Sequence, residues 1–377
     1  MNRKTFLPVA IAVLALFATA AWWLTRSPPA ADRTPPVSPE NNAGEQVGAP
    51  ALRVANQLAA LPTQLRAAND AAASRRLLEN FRQLLASLPA QVASREIQKF
   101  LSAGTDAPTR LDIKIGPGGV LEDSSSLRVF LLDCLGRVDR PAAGVVAAQI
   151  LANYTTPDEW AVCLRNYAWA NPGAESEAYL QSKVLLLLNN PAWVREPSTG
   201  FLEAFDTIVY ARGTSLVPEL GTLVRDPGNR ATAHAAYLTL DRLTINEPAI
   251  MLKQLVEEPA LMAGREQSRA SLVARADVRD PAQRAAVERY LLDPARTASE
   301  LSTFAGVYPN ANYMISQNLL TTVATPTGAQ LAAHDREALK VIEQWLADPR
   351  FEPIRPHVTQ IRERLAVFVR QAERPNQ

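Results

Sequence analysis

The chain has 377 residues, with 39 basic and 38 acidic side chains and a net charge of +1. That balance excludes nucleic acid or a strongly acidic partner held by bulk electrostatics. Two cysteines are too few for a disulfide framework. A hydrophobic fraction of 47% with 20% charged residues is ordinary for a chain that packs a core.

Residues 1–26 open on Arg3 and Lys4, and no charge follows between Phe6 and Leu24. Those 19 residues are long enough to cross a bilayer core as a helix. Trp22 and Trp23 close the run, where amphipathic rings favour the headgroup region. The positive start predicts a cytoplasmic N-terminus and an exported remainder. Ala18-Thr19-Ala20 resembles a signal-peptidase site, so a cleaved signal peptide is the rival. The anchor is preferred because hydrophobicity continues past that site. Residues 27–50 are rich in proline and small polar residues and lack large apolar ones. Such a stretch buries too little surface to offset its ordering entropy, so it reads as a disordered linker.

Residues 51–377 read as one α-helical domain. In 74–88 the residues Leu77, Leu78, Phe81, Leu84, Leu85 and Leu88 share one helix face, with Ser74 as the expected cap. Pro89 suits the first turn of the next helix, and Gly104 suits its C-terminal cap. Further helices are predicted over 125–137, 140–153, 157–170, 176–189, 199–212, 215–225, 229–243 and 247–257. The series continues over 264–277, 280–292, 297–305, 311–323, 329–347 and 354–373. Their junctions repeat an acidic residue or Asn before proline, as at Asn190-Pro191, Asp226-Pro227, Asp280-Pro281 and Asp348-Pro349. The proline starts a helix and the residue before it is free to cap.

Residues 111–122 break the pattern, alternating around Gly116-Pro117-Gly118-Gly119, and read as a small β-hairpin or protruding loop. They lack the Lys and Ser/Thr of a phosphate-binding loop and the spacing of a dinucleotide fingerprint. The serines 124–126 beside them suit a helix cap. Cys134 and Cys163 both lie in apolar helical stretches. They are either two buried thiols or, if the chain is exported, a disulfide.

No motif for catalysis, a metal or a cofactor is present. His234, His334 and His357 are beyond helical reach of one another, and neither H-E-x-x-H nor C-x-x-C occurs. Asp158 and Glu159 follow Pro157 and suit a helix N-terminus better than a catalytic couple. Aromatic residues concentrate at Trp160, Trp169 and Trp193, and again in Tyr308-Pro-Asn-Ala-Asn-Tyr313. The tryptophans fit a core between stacked helices, yet all five rings are candidate partner contacts. Tyr308 and Tyr313, with asparagines between them, are expected at the surface.

Short amphipathic helices joined by tight turns over so long a stretch resemble HEAT- and armadillo-type repeat proteins, over residues 75–300. The resemblance rests on helix length and turn chemistry. It implies an all-α array of short antiparallel helix pairs with long binding faces. The resulting expectation is a single-pass membrane protein whose periplasmic helical scaffold binds another envelope protein, with no catalytic motif to point to an enzyme. The alternatives are an envelope enzyme acting on cell-wall glycan or peptide, and a non-catalytic carbohydrate-binding module.

Overall fold

A computed structural model of the chain describes residues 43–373. The expected anchor, 1–26, and most of the 27–50 linker lie outside the described residues. Among the described residues, no helix is long and apolar enough to cross a membrane.

The described chain is all-α apart from one two-stranded hairpin. Helix α1 (Ala43–Ala67) begins inside the stretch assigned to the linker. It is followed by α2 (Ala71–Ala86) and α3 (Ala90–Ser102). The cap of α2 is Asp70, whose carboxylate accepts from the Ala73 amide. Ser74, expected as the cap, is buried one turn further in, because Ala71–Ala73 are good helix formers and extend the helix back to a stronger acceptor. Pro89 stands as the N-cap of α3, and Gly104 beyond its end adopts positive φ, as the turn requires.

The expected hairpin is present: β1 (Lys114–Ile115) pairs antiparallel with β2 (Leu121–Asp123) around Pro117–Gly119. Then come α4 (Leu127–Val138), capped by Ser126, α5 (Arg140–Leu151) and α6 (Pro157–Ala170), capped by Thr156. After α7 (Ala174–Leu188) lie three single-turn helices: α8 (Pro191–Arg195), α9 (Thr199–Glu203) and α10 (Asp206–Tyr210). The single helix expected over 199–212 is split at Ala204–Phe205, where bonds to the third preceding residue tighten the turn. The series continues through α11 (Val217–Arg225), α12 (Arg230–Asn246), α13 (Pro248–Glu257), α14 (Glu266–Val273) and α15 (Pro281–Leu292). It ends with α16 (Ala298–Val307), α17 (Gly328–Ala347) and α18 (Arg355–Glu373).

Packing is repetitive. Helices α4, α6, α9–α10, α12, α14, α16 and α18 each contact the next along one row. Helices α5, α7, α11 and α13 pack against members of that row from the second layer, and α15 extends it by packing on α13. The core between them is continuous and largely Leu, Val, Ile, Ala and Phe.

Each step of the row, up to α16, is also bridged by charge. Arg128 of α4 grips Glu159 of α6 at 2.8 Å, and Arg165 of α6 reaches Asp133 of α4 at 2.7 Å. Asp158 of α6 accepts from the Gly200 amide of α9 at 3.0 Å. Asp206 holds Arg242 at 2.8 Å, Asp241 holds Arg275 at 2.7 Å, and Arg269 holds Glu300 at 2.8 Å. The five ion pairs join residues 31, 32, 36, 34 and 31 apart. The α6-to-α9 step is longer, with Asp158 and Gly200 42 residues apart. Asp158 and Glu159 accordingly do more than favour a helix dipole: both tie α6 to neighbouring elements.

Candidate functional site

Residues 308–327 were expected to hold a helix over 311–323. They form none, and run instead as a strap across the row of charged helices. The reason is that their backbone groups find partners elsewhere. The Asn310 amide donates to the Ala274 carbonyl at 2.8 Å, and the Asn310 and Asn312 carbonyls accept from Arg275 at 2.8 and 2.5 Å. Asn310 also turns the chain locally, its Oδ1 accepting from the Asn312 amide at 3.2 Å. Further on, the Leu320 and Thr321 amides donate to Asp206 at 2.7 and 3.0 Å, and the Thr321 hydroxyl bonds both Asp206 and Arg242.

Leu319 is fully buried against the hairpin loop. Gly119, at φ +79°, lies under it so closely that a Cβ there would overlap the Leu319 carbonyl oxygen. The Gly119 carbonyl in turn accepts from Arg165 at 2.6 Å, so the strap's landing point is fixed by the buried Arg165–Asp133 pair.

Between these fastenings the segment 313–318 stands away from the helices and roofs a groove of about 340 Å³. Its floor is Leu202 and Phe205 with Ala235 and Leu238 of α12; Met314 and Val323 approach from the strap. Met314 and Ile315 are themselves exposed, Ile315 by 78%. Polar groups at the rim are Glu203, His234 and Asn318. Asp206 and Asp241 also line the groove, but both are committed to arginines. Glu203 is not, and burial, reinforced by the nearby Asp206 charge, raises its proton affinity. A second cavity of about 650 Å³ lies along the strap beside Asp277, Arg279 and His334. Tyr313 lines both, with its ring 5.4 Å from the Arg275 guanidinium carbon.

The aromatic candidates separate by position. Tyr313 is half-exposed at the groove. Tyr308, expected at the surface, is fully buried and stacks on Phe304 at 4.9 Å. It follows the last turn of α16 directly, so its ring continues that helix's core face. Burial, with Asp277 and Asp335 adding to it, pushes its phenol well above the usual range. Trp160 is also buried: Tyr154 stacks on it at 5.6 Å, Trp193 meets it edge-on at 5.3 Å, and its indole N–H donates to the Asn153 carbonyl. A ring so covered presents no face to a partner. Trp193 is half-buried in that cluster, and Trp169 lies between Arg165 at 4.3 Å and Arg140 at 5.3 Å. None of the three tryptophans lines the groove.

Cys134 and Cys163 are buried free thiols, and the disulfide weighed from the sequence is not formed. Burial pushes Cys134 up to about 12 and Cys163 higher still. Among the described residues no group of His, Cys, Asp or Glu is arranged to hold a metal ion. No protein-family model matches this chain. Nor does any curated protein prove significantly similar to it.

Sequence reasoning missed Glu203, Asp206, Arg242 and Arg275, since the groove is assembled from segments more than 100 residues apart. A comparable signal marked the neighbouring step: Asp133 and Arg165 each interrupt a largely apolar helix stretch. A charge at such a position requires a partner.

Proposed function

We propose that this protein is a helical scaffold of the cell envelope, tethered by residues 1–26, that binds another envelope protein on the face crossed by the strap. Its array of helix pairs is read as HEAT/armadillo-like, antiparallel within each pair. The observation that carries the binding reading is the strap itself. An irregular segment is fastened by charged side chains at both ends of a groove and displays Met314 and Ile315 to solvent between them. Exposed apolar residues beside a partly apolar groove are what a protein contact surface offers. A long row of rigid helices with such a face suits a scaffold. The membrane and periplasmic part of the reading rests on the sequence of residues 1–26.

One observation favours an envelope enzyme instead: Glu203, a carboxylate of raised proton affinity in a groove. Acid–base work on a glycan needs a second available carboxylate. Asp206, its neighbour, accepts from Arg242, two backbone amides and the Thr321 hydroxyl. It is occupied in fastening the strap, so binding is the stronger reading.

The test is cross-linked capture from native membranes with quantitative mass spectrometry. The reading expects one dominant envelope protein, reduced at least tenfold by the Met314→Ser, Ile315→Ser double variant, on the scale of a lost hot spot. A dominant partner insensitive to that change removes the strap as the contact face. No enriched protein, together with hydrolysis of cell-wall glycan or peptide that Glu203→Gln abolishes, establishes the enzyme.

A further inference from the structure

We propose that the groove beneath the strap takes a lysine or arginine side chain from an extended, otherwise apolar segment of the protein partner, with Glu203 as the counter-charge. This rests on the protein-binding reading above and names the chemistry the partner must bring.

The argument begins from charge. Asp206 is neutralised by Arg242 and Asp241 by Arg275. Glu203 ends α9 among Leu202, Phe205 and Leu238, and among the described residues no ion pair offsets it: burial and the Asp206 charge are what act on it. When ionised, Glu203 therefore gives the groove one negative charge beyond its two Asp–Arg pairs, on partly apolar walls. A neutral apolar occupant would complete the desolvation of Glu203 without giving it a partner, which is unfavourable. An anion would be repelled. A cation on an apolar stem satisfies both surfaces, because the methylenes of Lys and Arg lie along apolar walls while the head reaches the carboxylate.

Size and surroundings limit the occupant. A volume of about 340 Å³ is at the lower end for ligand sites, enough for one or two side chains and not for a folded element. Met314 and Ile315 stand exposed on the roof, at 53% and 78%. They offer contact to apolar residues on either side of the inserted cation. A free small amine would fill the groove without using them.

The experiment is fluorescence anisotropy on the full-length protein in detergent micelles. The probes are labelled Val-Leu-Lys-Leu-Val and the same peptide with norleucine at its centre. The proposal expects the lysine peptide to bind at least about tenfold more tightly, the scale of a partly buried charge pair. Glu203→Gln removes that advantage, and Leu238→Arg, which fills the groove, abolishes binding of both peptides. In the unmodified protein, lysine-peptide affinity falls on acidification, beginning above the usual carboxylate range because the Glu203 proton affinity is raised, and a parallel His234→Gln measurement, which removes the other titratable group at the rim, keeps that fall. The norleucine peptide shows no such dependence, so the test stands even if a variant fails to fold. Equal binding of the two peptides, or a lysine preference surviving Glu203→Gln, overturns the proposal. So does competition by n-butylamine with an affinity equal to the peptide's, which would make the site a small-amine pocket. If membrane capture still depends on Met314 and Ile315 while the peptides do not discriminate, the binding face stands and the lysine is wrong. If both fail, the protein-binding reading fails with them.

Discussion

Replacing Asp206 with Ala isolates what holds the strap. The carboxylate is 4% exposed and accepts from Arg242, from the Leu320 and Thr321 amides and from the Thr321 hydroxyl. Removing one partner of a well-buried ion pair costs about 3–5 kcal/mol. The lower end applies here, because the Arg242 side chain is 21% exposed and reaches water. The two freed amides add about 1 kcal/mol each only while they stay buried, and they rehydrate once the strap lifts. The loss therefore falls on strap docking, at about 3 kcal/mol, or roughly a hundredfold in its opening equilibrium. Hydrogen exchange read by mass spectrometry on peptides covering 316–323 should rise by about that factor. Peptides from α4 and α6 should exchange unchanged. Unchanged exchange in the strap, or equal acceleration across the whole domain, refutes the reasoning.

Gly119→Ala attacks the other fastening: the added methyl overlaps the Leu319 carbonyl at a positive φ that only Gly adopts easily. It should destabilise by about 1–3 kcal/mol in thermal melts and raise exchange at 317–321, with α14 and α16 unaffected. Tyr290→Phe deletes a 2.9 Å hydrogen bond to the buried Glu300 carboxylate while keeping the ring. It should cost about 1.5–3 kcal/mol by denaturant titration, since the acceptor is charged and also holds Arg269. Cys134 and Cys163 should resist a thiol reagent at pH 8 in the native protein and both react in guanidinium. Burial raises their pKa values, so the thiolate fraction at that pH is negligible until unfolding returns them to ordinary values. Rapid native labelling would contradict the packing around α4 and α6.

The helices were largely legible because their signals are local. Pro157, with Asp158 and Glu159 behind it, marks the start of α6, and the predicted 157–170 matches its observed bounds. Thr327 and Gln330 form a capping box at the head of α17, within one residue of its predicted start. The strap was not legible. Its sequence from Asn310 to Val323 has no breaker to forbid a helix, and what prevents one is Asp206 and Arg275, which lie far away in the chain. Tyr308 deceived for a similar reason: the polar residues after it suggested exposure, while its own ring closes the core face of α16. Nothing local to Glu203 marks it either. Its character comes from the strap that covers it and from the arginines being spent on Asp206 and Asp241.

The strap also has a kinetic meaning. The ion-paired rungs of the row join residues 31–36 apart and the Asp158–Gly200 rung 42, so the array can assemble stepwise by short loop closures. The strap's bonds to Asp206 span 114 and 115 residues, and its leucine lands on a glycine in the hairpin near the other end of the domain. Those contacts are unavailable until α10, α12, α14 and the hairpin already stand in register. Strap closure therefore follows the assembly of those elements, and a chain stalled with one of them out of place displays Met314 and Ile315 on an unanchored segment. In that state the same two residues that suit a partner are an aggregation hazard.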